Sequence, residues 1–325
     1  MKVAVTGASG HIGAAVCREL ISRGYEVAVL VYNDISALQG LPVTVVKGNV
    51  LNKESLKELM GQCDAVIHTA GMIELGYKFI QEVYDINVTG TKNVLETAKE
   101  SGVKKVVHFS SVHAFSHKPY DVPIDESRPF VTERSVFYDQ TKRDGHVLAF
   151  EAAKEGLDVV IVCPTSAVGP PDHKPSKLGK AVIDIYKGSV PAVVKGGFDF
   201  ADVRDMAKGA VSALTNGRAG ETYILGGRYY TIKEFSDLVL EAKGTKKRLT
   251  ELPLFVANIG LPFVKSYAYL TNKQPLYDKA YIDILQDGNK LTLSTKAQEE
   301  LGYSVRELGE TLTDTVEWFR TIGRL

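Results

Sequence analysis

Tyr138 and Lys142 stand four residues apart in the run Phe137-Tyr138-Asp139-Gln140-Thr141-Lys142, so a helix carrying them presents a phenol and an ammonium on one face. A phenol titrates near pH ~10 and relays protons poorly at neutral pH unless a cation favours its ionised form. Lys142 is placed to be that cation. The pair is a candidate acid/base group for interconverting a carbonyl and an alcohol, provided that a redox cofactor binds alongside. The same spacing also arises by chance on solvated helix faces, so the rest of the chain has to supply the cofactor.

The first residues do so. A strand-like run, Lys2-Val3-Ala4-Val5, enters Thr6-Gly7-Ala8-Ser9-Gly10-His11-Ile12-Gly13 and then a helical pattern from Ala14 to Arg23. Strand, glycine loop and helix in that order form a pyrophosphate cradle: Gly7 permits the turn, Gly10 the approach of the backbone, and Gly13 close packing of a helix whose N-terminus faces the phosphates. A second strand, Glu26 to Val31, ends where such folds read the adenosine ribose. An acid there would bind the hydroxyl of NAD, and an arginine the extra phosphate of NADP. Val31 and Tyr32 supply neither, which tilts the reading to NADP, with Asp34 as the counterweight if it turns inward.

Strand patterns at Val43 to Lys47, Ala65 to His68, Val103 to Phe109 and Val159 to Cys163 alternate with helical ones at Asn52 to Met60 and Phe79 to Ser101. That alternation predicts an α/β protein with a parallel sheet and right-handed crossovers. Polar residues then fall at strand ends. Asn49 is either an adenine contact or an ordinary turn residue. Ser111 follows the fifth strand, where a hydroxyl can donate to a substrate carbonyl. His113, two residues on, is a candidate pocket residue. His108 reads as a satisfied core histidine and His11 as a surface group beside the phosphates.

The 39 basic and 39 acidic residues among 325 leave no net charge, hence no electrostatic footprint for nucleic acid. Cys17, Cys63 and Cys163 sit in apolar contexts, as small core residues of a reducing compartment do. No histidine has ligands at metal-binding spacing, so no metal is expected. Leu252 to Leu270 is interrupted by Pro253, Asn258, Pro262 and Lys265 and should not span a bilayer. With no apolar leader behind Met1-Lys2, a cytoplasmic protein is expected.

In order along the chain, Thr6-Gly7-x-x-Gly10-x-x-Gly13, His68-Thr69-Ala70-Gly71, Asn87-Val88-x-Gly90-Thr91, Ser110-Ser111 and Tyr138-x-x-x-Lys142 resemble the motifs of the extended short-chain dehydrogenase/reductase family, of NAD-dependent epimerase/dehydratase type. The likeness continues through Pro164-x-x-x-Val168-Gly169-Pro170, Asp202-Val203-Arg204-Asp205, Ser294-Thr295-Lys296-Ala297 and Leu301-Gly302-Tyr303, and so covers nearly the whole chain. It implies a Rossmann-type doubly wound parallel sheet over 1–164 with return segments about 203–226, and a smaller C-terminal α/β substrate lobe from 165–202 and 227–325. Tyr138 would be the acid/base, with Lys142 lowering its pKa and holding the nicotinamide ribose. Ser111 would orient the substrate carbonyl, and Asn87 would have a structural or proton-relay role. The cofactor, NADP ahead of NAD, is expected on Gly7, Ser9, Gly10, His11, Ile12, Gly13, Tyr32, Asn49, Val50, Thr69, Ala70, Gly71, Asn87, Tyr138, Lys142, Pro164 and Ser166. The substrate is expected on Ser111, Val112, His113 and Arg204.

The Asp202 to Asp205 motif and the run Gly220 to Gly227 are most similar to dihydroflavonol-reductase-like and 3β-hydroxysteroid-dehydrogenase-like members, which handle apolar carbonyl compounds. Nucleotide-sugar members often carry an arginine shortly before that motif, where this chain has Gly196-Gly197-Phe198-Asp199-Phe200. The expected activity is therefore interconversion of a carbonyl and a secondary alcohol on a small, apolar substrate. A nucleotide-sugar epimerase or dehydratase holding NAD tightly is the alternative, and a non-catalytic cofactor-sensing protein the third reading. Leu252 to Tyr269 suits an apolar lid or packing within the small lobe. The family's helices near Phe79 to Ser101 and around Tyr138 commonly pair in homodimers, so a second copy of the chain is an expected partner.

Overall fold

The computed structural model describes residues 1–256 and 291–325, so most of the expected lid, Leu252 to Tyr269, lies outside the described residues. The chain begins β1 (Lys2–Thr6), α1 (His11–Ser22), β2 (Glu26–Val31), β3 (Val43–Lys47), α2 (Lys53–Met60) and β4 (Ala65–His68). Then α3 (Gln81–Tyr84) passes through a π turn, Asp85–Thr89, into α4 (Gly90–Glu100), followed by β5 (Lys105–Phe109), α5 (Phe137–Lys154) and β6 (Val159–Pro164). The second half continues with β7 (Ser166–Val168), α6 (Lys177–Lys187), β8 (Ala192–Val194), β9 (Gly197–Asp202) and α7 (Val203–Asn216). It closes with β10 (Thr222–Leu225), β11 (Arg228–Thr231), α8 (Ile232–Ala242), β12 (Thr250–Leu252), α9 (Thr295–Leu301) and α10 (Leu308–Thr321).

Seven strands pair in parallel in the order β10-β6-β5-β4-β1-β2-β3. Most are valine-rich and buried on both faces, as helices on both sides of a parallel sheet require. Successive side chains go to opposite faces: Val27, Val29 and Val31 join one core with α1, α7 and α9, while Ala28 and Leu30 join another with α2, α4 and α5. Strand order reverses between β1 and β4, which is the crevice where a doubly wound sheet binds its ligand.

A third core, including Val182, Phe200, Phe235, Leu312 and Phe319, gathers α6, α8 and α10 around β7 and β9. It is served by a three-stranded sheet, β11-β9-β7, and a parallel pair, β12-β8. Asp202, which caps α7 through the Arg204 N–H at 2.8 Å, ties this part to the main sheet. Its carboxylate also takes the Arg204 guanidinium at 2.7 and 2.9 Å and the Thr311 hydroxyl at 2.8 Å. One turn on, Asp205 accepts the Arg306 N–H at 3.0 Å and pairs with its guanidinium at 2.7 Å. Because Asp205 is buried, Asp205→Ala takes from Arg306 its nearest carboxylate and leaves it Asp202 at 3.6 Å and Glu310 at 3.8 Å, so a loss of about 1–3 kcal/mol is expected. The midpoint of urea unfolding measures it, and a midpoint equal to that of the wild type would show the pair to be idle.

Candidate active site

At the carboxyl end of β1 the glycine loop is in backbone contact with its neighbours. Gly7 has φ 72°, and a Cβ on it would lie 2.5 Å from the Ala70 nitrogen, while a Cβ on Gly13 would lie 2.2 Å from the Gly7 carbonyl oxygen. Thr69 Oγ1 donates to the Thr6 carbonyl at 2.7 Å, which fixes the end of β4 against the loop. Helix α1 starts at this loop with no side-chain cap and no acid in its first turn, which suits its N-terminus to an anion. His11, expected as a surface group, instead donates from Nε2 to the Gly169 carbonyl at 2.6 Å and fastens the loop to the segment after β7. Ser9 Oγ donates to the Asp34 carbonyl. The Asp34 carboxylate accepts the Ser36 N–H at 2.8 Å, and this bond holds it below the usual carboxylate range. Tyr32 is 65% exposed.

Tyr138 lies in the first turn of α5, only 7% exposed, and Ser111, from the end of β5, is near enough to its phenol to favour the ionised form. Ser111 is extended and also accepts the His113 N–H at 3.2 Å, which sets the direction of its side chain. One helical turn beyond Tyr138, Lys142 donates from Nζ to the Phe109 carbonyl at 2.9 Å. That amine would be 3.9 Å from a Cβ on Gly71, so the loop after β4 leaves it room. Asn87, in the π turn, exchanges bonds with both backbone groups of Met72 at 2.8 and 2.9 Å and donates to Thr141 Oγ1 at 3.0 Å. Its side chain therefore clamps α5 to the segment after Gly71.

The electrostatics correct one expectation. Burial and the Asp139 charge push the Tyr138 phenol above its ordinary pKa, and the Ser111 hydrogen bond is the group that pulls it down. Lys142 is itself lowered to about 8 by burial. The protein's own groups thus hold Tyr138 as the protonated acid at neutral pH.

His113 and Asp139 meet beside this pair. Their Nδ1 and Oδ1 atoms are 3.2 Å apart, and the His113 ring stands edge-on to the Tyr138 ring at 5.9 Å. Burial opposes protonation of His113, but Asp139 outweighs it and holds the imidazole above its ordinary pKa. Both line a cavity of ≈ 350 Å³ together with Tyr77, Ser116, His117, Lys118, Val131, Thr132, Arg134, Ser135 and Val136. Of the expected substrate residues, His113 lines this cavity. Val112 is buried in the core with α2, α4 and α5. Arg204 is held by Asp202 and, at 2.7 Å, by Asp314, so its guanidinium serves the α7–α10 seam rather than a substrate.

Over residues 3–226 the chain matches the model of the NAD dependent epimerase/dehydratase family. The chain belongs to that family. Sterol demethylase protein B of Methylococcus capsulatus is 31% identical over 332 residues, covering 100% of both chains. A protein of Synechocystis sp. named for dihydroflavonol 4-reductase is 31% identical over 98% of this chain and 94% of its own. The crystal structure of gox2253 superposes with a TM-score of 0.85 at 29% identity, covering 99% of each chain. This epimerase/dehydratase family member is thus a nicotinamide-dependent enzyme of oxidoreductase type, and its loop suits the dinucleotide, since the close backbone packing that only glycine permits at Gly7 and Gly13 sets the uncapped N-terminus of α1 at the end of β1.

Three further features complete the description of the family member. Asn49, read as an adenine contact or a turn residue, accepts the Leu51 N–H at 2.9 Å, as a turn asparagine does. Val50 is buried and its carbonyl accepts from Asn93 Nδ2 at 3.1 Å. Behind Lys142, His68, His108 and His146 lie buried together. His68 sits between Thr6 Oγ1 at 2.6 Å and Thr91 Oγ1 at 3.1 Å, and His146 between Ser110 Oγ at 3.0 Å and Thr222 Oγ1 at 3.2 Å. His108 packs 5.3 Å from the His68 ring with neither nitrogen hydrogen-bonded, so it is a core histidine but not a satisfied one. Burial lowers His68 to about 3 and His146 to about 4, and His108 well below the ordinary value, so all three are neutral beside the lysine at pH ~7. Among the described residues no group of His, Cys, Asp or Glu is arranged to hold a metal ion, and no helix is long and apolar enough to cross a membrane.

Proposed function

We propose that the protein is an NADP-preferring oxidoreductase that interconverts a carbonyl and a secondary alcohol on a small substrate with an apolar body. The observation that carries this reading is the convergence of Ser111 and the Tyr138 phenol, with the Lys142 amine held one turn away on the Phe109 carbonyl at 2.9 Å. When bound, the nicotinamide supplies or takes the hydride. Tyr138 gives its phenolic proton to the carbonyl oxygen in reduction and takes it back in oxidation. Ser111 directs the phenol, and the Lys142 ammonium offsets the charge left on Tyr138 once its proton has gone. Asn87 holds α5 in register with the segment after Gly71.

The segment joining β4 to α3 supports the apolar body of the substrate. Ile73, Tyr77 and Phe79 are exposed on it, Phe79 packs 5.0 Å from Phe137, and the Gly76 carbonyl accepts the Phe137 N–H at 2.9 Å. NADP is supported by the lack of an acid at Tyr32 and by the commitment of Asp34 to Ser36. Arg18, which donates to the Ala37 carbonyl at 3.0 Å and to His173 Nε2 at 3.1 Å, adds a cation nearby. Arg204 and Arg228 are engaged, Arg204 by Asp202 and Asp314 and Arg228 by Glu307, which removes these two as clamps for a sugar diphosphate and weighs against the nucleotide-sugar alternative. Titration with NADP, NAD and both reduced forms, followed by a carbonyl and alcohol panel with the tighter cofactor, tests the reading. Tightly co-purified NAD with no net change in nicotinamide absorbance on any panel member would overturn it.

The Lys142 environment sets a pH dependence. An amine lowered to about 8 is charged below that value and neutral above it. The kcat/KM for carbonyl reduction, which reports the free enzyme, is expected to be level at lower pH and to fall as pH rises through about 8. Lys142→Arg, which stays charged, should move that fall upward. Initial rates across the range measure it, and identical profiles for the two proteins would remove Lys142 from the proton path.

A further inference from the structure

We propose that the cavity beside Tyr138 binds an oxyanion, a carboxylate or a phosphate, carried by the carbonyl substrate, with Arg134 and Lys118 at its mouth and His113 further in. The inference rests on the redox reading for the word substrate, but the site itself is argued from charge and burial. Asp139 is the single acid lining the cavity, and it is already 3.2 Å from His113. Glu133, next in sequence to Arg134, is taken at 3.0 Å by Arg143, which also holds Asp144 at 2.8 Å. Arg134 and Lys118 are therefore left without a carboxylate partner among the described residues, and the cavity carries an excess of positive charge.

The inner wall has polar atoms to spare. His117 Nδ1 is buried without a hydrogen bond, and His113, whose Nδ1 faces Asp139 at 3.2 Å, has its other ring nitrogen left to donate. Buried polar atoms are usually satisfied, and unsatisfied ones that line a cavity mark where a ligand completes them. An oxyanion suits the donors of this wall and its positive rim. It accepts from the Arg134 fork and the Lys118 ammonium, and it can accept from His113 when that imidazole is protonated against Asp139. At ≈ 350 Å³ the cavity is large enough for a small organic acid, and the T-shaped contact of His113 with Tyr138 places it next to the reacting oxygen.

The test uses the full chain loaded with NADP and three probes: levulinate, its methyl ester and acetonylphosphonate. Dissociation constants are measured by calorimetry at low and high salt, for the wild type and for Arg134→Ala and Lys118→Ala. Both replaced residues are exposed, and equal thermal midpoints will show that the variants fold. At least one anion should bind on the order of 10-fold more tightly than the ester, as charge-assisted bonds require, with the preference shrinking in salt and in both variants. The tighter of the two identifies the oxyanion as carboxylate or phosphate. Equal binding of acid and ester, no binding of any probe, or a preference untouched by both variants would overturn the proposal. Nicotinamide absorbance separates the two claims. An anion preference without hydride transfer to any carbonyl sinks the redox reading and leaves the site standing, and hydride transfer without an anion preference does the reverse.

Discussion

Tyr138→Phe is expected to lower turnover by roughly 10²–10⁴-fold, the usual contribution of a positioned general acid, while cofactor affinity stays nearly unchanged. The reasoning is local. Phenylalanine fills the same buried slot in the first turn of α5 and keeps the edge contact with His113. What is lost is one O–H, the group that Ser111 directs and that meets the substrate oxygen. Ser111 retains its bond from the His113 N–H, so no buried hydroxyl is orphaned, and the change in stability should stay near ~1 kcal/mol. Single-turnover absorbance and a cofactor binding isotherm together decide the matter. Activity above about a tenth of wild type would mean that another group, or a water, carries the proton.

Gly13→Val should be as damaging at the other end of the cleft, but through binding. The added Cβ would lie 2.2 Å from the Gly7 carbonyl oxygen and 2.8 Å from Ala8 Cα, and both are backbone atoms with no rotamer to escape into. The loop must open, and Gly7, packed on Ala70, cannot follow without moving the end of β4. A loss of cofactor affinity on the order of 100-fold and a stability cost of about 1–3 kcal/mol are expected. Gly309→Ala is the control. Its Cβ would meet Leu238 of α8 at 3.5 Å, an ordinary contact, so helix propensity in α10 makes the change neutral or stabilising by up to ~1 kcal/mol. A Gly13 variant that binds cofactor as wild type does would refute the close-packed loop.

What the sequence disclosed and what it hid divide along chain separation. Val43–Lys47 and Ala65–His68 emerge as strands with the expected bounds because their apolar patterns are local. The glycine loop and the Ser111, Tyr138 and Lys142 set were readable because each belongs to a motif with fixed spacing. The chain hid what depends on distant partners. Arg204 looked available until Asp314, 110 residues on, took its guanidinium, and His11 until Gly169, 158 residues on, accepted from it. Asp139 gave one signal, an acid in the first turn of a helix, but nothing told that His113 would stand against it. Helix periodicity over Phe79 to Ser101 was real, yet the π turn that aims Asn87 at Met72 shifts the register by a residue in a way that apolar spacing does not record. Strands β9 and β11 were missed because glycines and tyrosines blur their alternation.

The three uncharged imidazoles behind Lys142 make the enzyme's endurance a matter of acidity. His68 and His146 take up protons in the folded protein only near 3 and 4, whereas an unfolded chain takes them up near ~6.5. Between those limits the unfolded form holds more protons, so stability climbs with rising pH and drains away as pH falls below about 6.5. His108 acts in the same sense, while His113, held above its ordinary value by Asp139, opposes it. His117, lowered to about 4 by burial, and His173 add to the first side, and the buried Glu126 and Asp199 carboxyls, raised by burial, to the second, which leaves a protein that should melt progressively earlier in mildly acidic buffer, with the lysine pocket contributing most to its acid lability. A melting temperature that stays flat from neutral pH down to about 5 would contradict that account.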